Sequence, residues 1–132
     1  MTELTSREAN DLANQFLALA QSVGDFRYHH WNELSKARHQ ELASQHRSIL
    51  NYGQDILAES TVLVMEDVSK SLTSIKEVTS QIKSTLGSLA DIQKGINITA
   101  AIVTLGAAII SRNPFAVGGA IDGLVGIWKS GK

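Results

Sequence analysis

Apolar residues recur at helical spacing along nearly the whole of this chain. Leu12, Phe16, Leu19 and Val23 form one stripe, backed by Ala9, Ala13 and Ala20, and predict a helix over residues 6–22. Thr5 and Glu8 stand ahead of it at capping-box spacing, and Gly24 with Asp25 marks the expected stop. A second helix is expected over residues 26–52, with Trp31, Leu34, Leu42, Ile49 and Leu50 as a thinner apolar face and Gly53 as the break.

From residue 55 to residue 94 there is no proline, and the pattern changes to sevens. Val68, Ile75, Ile82, Leu89 and Ile96 form one series, and Met65, Leu72, Thr79 and Leu86 its companion. This is an a/d seam, the signature of a helix that packs along one line. A continuous helix over that stretch would be about 60 Å long at 1.5 Å per residue. A globule of this size has a radius of gyration of only about 14 Å. The expectation is therefore an elongated or oligomeric molecule, or a break near Gly87. Nine Ser and Thr residues between Ser69 and Ser88 leave the seam, rather than intrinsic propensity, to hold this helix.

The last third is different in kind. Residues 96–110 are apolar except for Asn97, Thr99, Thr104 and Gly106; Ser111 to Pro114 read as a turn, and residues 115–128 form a second apolar limb. Val117, Ile121, Leu124, Val125 and Trp128 share one face of that limb. Gly118, Gly119, Gly123 and Gly126 lie largely on the other, with Asp122. Glycine costs about 1 kcal/mol relative to alanine inside a helix, so this smooth face calls for a reason, such as the close approach of another helix.

Charge sharpens the division. Residues 1–95 carry nine Lys/Arg and twelve Asp/Glu, whereas residues 96–128 carry only Arg112 and Asp122. The chain reads as a single domain over residues 1–132, with amphipathic helices over 1–95 and an apolar hairpin over 96–129. A formal net charge of −1 gives no electrostatic footprint for nucleic acid. The polar, rather acidic start lacks the basic and apolar regions of a secretory signal, so synthesis in the cytoplasm is expected, with any export by a leaderless route, or association with a membrane.

Candidate chemistry is sparse. With no cysteine there is no disulfide, thiolate metal site or thiol nucleophile. His29, His30, His39 and His46 do not fall into a zinc or di-iron spacing, and no nucleophile elbow or phosphate loop occurs. The expectation is no catalysis, no cofactor and no metal.

The order of elements, a long seam helix followed by residues 95–128 with their ITAAIVTLGAAII stretch, a turn and a glycine-rich return, resembles the helical pore-forming toxins of the cytolysin A/hemolysin E type and, more distantly, the pore-forming colicins. The resemblance implies an apolar hairpin buried in the soluble protein and released at a bilayer. This chain is far shorter, and its hairpin is not enclosed by later helices, which implies a subunit or shortened relative.

The fold expected is thus an all-α, up-and-down helical bundle. Its seam is carried by Met65, Val68, Leu72, Ile75, Ile82, Leu86 and Leu89. The hairpin residues expected to meet a membrane or a partner are Ile98, Ile102, Leu105, Ile109, Phe115, Val117, Gly119, Ile121, Gly123, Leu124 and Trp128. The function expected is membrane insertion by a toxin component, acting as a homo- or hetero-oligomer. The alternative is a helical protein-interaction module, an effector, chaperone or adaptor, without membrane activity. A hairpin that is purely structural core fits the same residues.

Overall fold

In the computed structural model, which describes residues 2–59, 63–65 and 67–129, five α-helices and one short antiparallel ribbon account for most of the chain. Helix α1 spans Ser6–His29 and opens with the anticipated capping box: the Glu8 amide donates to Thr5 Oγ1 at 3.1 Å, and the Thr5 amide to Glu8 Oε1 at 2.8 Å. It does not stop at Gly24. Phe26 continues the stripe of Leu12, Phe16, Leu19 and Val23 into the core, and all five are fully buried. Burying a phenylalanine is worth about 2–3 kcal/mol, more than one interior glycine costs.

The helix expected over residues 26–52 is also displaced. A 3-10 turn at Trp31–Glu33 follows α1, and α2 runs Lys36–Ala58, capped by Ser35, whose hydroxyl accepts from the Arg38 amide. Gly53 lies inside α2, buried, where a Cβ would stand 3.5 Å from the Ala13 carbonyl oxygen. It faces α1 at ordinary contact distance and does not break the helix. The corner before α2 is pinned by His30, a buried ring whose Nε2 lies 2.6 Å from the Leu89 carbonyl oxygen and whose Nδ1 lies 3.0 Å from Glu33 Oε2. A carbonyl only accepts, so Nε2 carries a proton.

No single helix fills residues 55–94. The ribbon pairs β1 (Thr2–Glu3) with β2 (Val64–Met65), and the Leu4 amide donates to the Leu63 carbonyl. Helix α3 covers Val68–Thr85, a 3-10 turn follows at Leu86–Ser88, and α4 covers Ile92–Ile110. The breaks have a physical cause in two aspartates. Asp67 Oδ1 accepts from the Lys70 amide and Asp91 Oδ1 from the Lys94 amide, both at 3.0 Å, so each starts a new helix. With 18 residues, α3 is about 27 Å long, and elongation is not required. Even so, Met65, Val68, Leu72, Ile75, Thr79, Ile82 and Leu86 are all buried and Leu89 is half-buried, so the seven-residue register survives the breaks.

Direction alternates along the chain. Gly53 against Ala13 and Gly24 against His46 set α1 and α2 antiparallel. Lys76 to Asp11 at 2.6 Å and Gly87 beside Asp25 set α3 parallel to α1. Arg38 to Gln93, Tyr52 against Gly106 and Arg112 to Glu59 set α4 alongside α2 in the same sense. Helix α5 (Pro114–Lys129) returns against α4 and also touches α3. Removing the cap at the head of α4 tests these boundaries: Asp91→Ala is expected to lower unfolding free energy by about 1 kcal/mol in urea titrations, and Asp91→Ser by less.

Candidate functional site

The hairpin of α4 and α5 has one covered face and one open face. On the covered face Ile98, Ile102, Leu105, Ile109, Val117, Ile121 and Leu124 are buried in the core shared with α1, α2 and α3. Trp128 is half-buried, with the Lys94 ammonium 5.9 Å from its ring centroid. Phe115 points the other way and is 70% exposed, and Gly119 and Gly123 are exposed.

The turn between the limbs is built as the sequence suggests. Asn113 Oδ1 accepts from the amides of Phe115 and Ala116 at 3.1 and 3.2 Å, which caps α5 ahead of Pro114. Arg112 takes a left-handed conformation, φ 63°, and its guanidinium meets Glu59 Oε1 at 2.8 Å. Arg112 is thereby tied to the end of α2. The pair is exposed enough to be worth little, and water can replace it.

Helix α4 is longer than the 15-residue limb expected. Its 19 residues make about 28 Å, close to the roughly 30 Å of a hydrocarbon core. Its most apolar window has a mean hydropathy of 1.4 and is half buried inside the protein. Its polar side chains are largely satisfied within the helix. Thr99 Oγ1 donates to the Gly95 carbonyl, Thr104 Oγ1 to the Ala100 carbonyl, and Gln93 Nε2 to Asn97 Oδ1. Bonds of that kind need no water.

Glycine plays two opposite roles here. A Cβ on Gly95 would overlap the Phe26 ring, and one on Gly106 would overlap the Tyr52 ring. Close approach inside the bundle therefore belongs to two α4 glycines that the sequence pattern did not single out. At Gly118, Gly119, Gly123 and Gly126, where close approach was expected, nothing lies within 4 Å of an added Cβ. The outer faces of α4 and α5 enclose an apolar groove of about 400 Å³, lined by Ala100, Ala101, Thr104, Gly119, Ala120 and Gly123. Asp122 is exposed and bears no burial cost in this state.

Away from the hairpin, His39 and His30 serve structural contacts, with His39 Nε2 2.8 Å from the Trp31 carbonyl oxygen. Among the described residues no group of three His, Asp or Glu side chains is placed to hold a metal ion. No protein-family model, curated protein or solved structure matches this chain.

Proposed function

We propose that this protein is a membrane-active helical bundle, a pore-forming or toxin-type component that keeps the inner face of α4–α5 covered in solution and inserts the hairpin into a target bilayer. The observation that carries this reading is the hairpin itself. It joins a 19-residue apolar helix to a second apolar helix, and its outer face is already apolar and without a partner among the described residues. The contacts of α1 with both α2 and α3 support it further, because a three-helix remnant keeps its own packing when the hairpin leaves. Release breaks the Arg112–Glu59 pair and the fit of Gly95 and Gly106 against Phe26 and Tyr52. Lipid then covers the isoleucines and leucines those helices had covered.

The alternative, a helical interaction module, is favoured by the groove of small residues between α4 and α5, whose shape suits an incoming helix. Flotation with liposomes and dye release separate the two. The membrane reading expects the purified chain to float and to release dye somewhere between about pH 5 and pH 7.5, the range across which histidines titrate. A chain that stays at the bottom of the gradient and releases nothing across that range overturns self-sufficient insertion and leaves the interaction module.

A further inference from the structure

A second cavity, of about 470 Å³, opens away from the hairpin residues, between the C-terminal third of α1 and the middle of α2. Its wall includes Arg27, Tyr28, Trp31, His46, Arg47 and Leu50, and no carboxylate lines it. Among the described residues neither Arg27 nor Arg47 forms an ion pair. Two arginines in the wall of one cavity, with no carboxylate beside them there, make its potential positive and favour an anion.

The wall is held in place. His39 Nε2 donates to the Trp31 carbonyl, which leaves Nδ1 to accept from Arg27 Nε at 3.2 Å. The Arg27 guanidinium carbon sits 4.9 Å from the Trp31 ring centroid. Arg27 is thus anchored through Nε and the ring, and its two terminal nitrogens have no acceptor among the described residues. His46 also belongs to this wall, with its Nδ1 buried against α1 and without a hydrogen-bond partner among the described residues. Gly24 makes room for it, since a Cβ there would stand 3.2 Å from His46 Cε1. Beside the cations, Tyr28 is 81% exposed and Trp31 51% exposed, an apolar platform next to the charge.

We propose that this cavity binds a phosphate-bearing ligand, with the phosphate taken by Arg27 and Arg47 and an apolar portion laid against Tyr28, Trp31 and Leu50. A single guanidinium fork saturates a carboxylate, whereas a phosphate offers oxygens on several sides and can engage two forks at once. The volume lies in the range of small-molecule sites. The same chemistry comes from a phospholipid headgroup or from a soluble phosphoester. The site does not depend on the hairpin or on membrane insertion.

The test uses Trp128→Phe, which leaves Trp31 as the only tryptophan of the full chain. Its fluorescence is followed during titration with glycerol 3-phosphate and, separately, with phosphatidylglycerol vesicles; glycerol is the phosphate-free control. A saturable change with glycerol 3-phosphate but none with glycerol supports the site. A change with vesicles alone assigns the phosphate to a lipid headgroup. Adding Arg27→Gln and Arg47→Gln is expected to weaken either response by about tenfold per arginine, the loss of a charged hydrogen bond, with the helical fold retained by circular dichroism. No response to either probe, or equal responses with and without the arginines, overturns the proposal. Because the soluble arm contains no bilayer, failure of dye release leaves this result standing, and the converse holds too.

Discussion

Replacing Gly95 by leucine is expected to abolish the cooperative unfolding transition of this protein. A Cβ at that position already overlaps the Phe26 ring, which is fully buried and lies 4.8 Å, centroid to centroid, from the buried ring of His30. Phe26 therefore has no open side to retreat to. Overpacking by a methyl group costs about 1–3 kcal/mol, and alanine returns about 1 kcal/mol of helix propensity. Gly95→Ala should be destabilised but folded. Leucine adds three more carbons in the same place, and a loss above about 4 kcal/mol removes most of the stability of an ordinary domain. Gly106→Leu meets Tyr52, which is only half-buried and can swing outward, so a smaller loss is expected. Urea titrations followed by circular dichroism order the three variants. If Gly95→Leu melts like the parent, α4 does not lie on Phe26 and the hairpin packs elsewhere.

That ordering shows where the sequence was legible. The all-α class, the hairpin and its turn follow from local signals: periodic isoleucine, a break in charge, and asparagine before proline. The seam was legible too, because Val68, Ile75 and Ile82 are buried whichever way the flanking segments turn. Boundaries were legible only in part: the break expected near Gly87 is the 3-10 turn at Leu86–Ser88, but other helix ends were displaced. Gly24 and Gly53 carry the ordinary marks of helix ends, but Phe26 and Ile56 beyond them are fully buried, and tertiary packing overrode the local preference. The converse happened at Asp67 and Asp91. Their side chains satisfy free amides at 3.0 Å and start helices inside an unbroken heptad pattern. Heptad spacing says which side of a helix faces inward and does not say that the helix is continuous. The α1–α2 cavity had no sequence signal, since Arg27 and Arg47 are far apart in the chain and line one cavity only because the helices are antiparallel.

The glycines of α5 connect packing with the proposed activity. In a monomer whose α5 faces open space at Gly118, Gly119, Gly123 and Gly126, the fold itself derives no benefit from them. Each leaves the unfolded chain more freedom than alanine would, and each weakens the helix. Converting all four to alanine is therefore expected to stabilise the soluble protein by about 2–4 kcal/mol, a rise in melting temperature of roughly 10 °C for a domain of this size. Inside a bilayer the same methyl groups stand where small residues let helices approach, so assembly through this face is obstructed. Dye release by the quadruple variant is expected to fall at least tenfold while binding to liposomes persists. A variant that is more stable and equally active removes close helix packing from the mechanism. A variant that is less stable means that another surface covers this face in solution. Gly119→Leu gives a local version of the test, because its side chain enters the groove between Ala101, Thr104 and Ala120 without touching the core. It should melt close to the parent and still lose most of its release activity, the separation of stability from function that a purely structural hairpin does not produce.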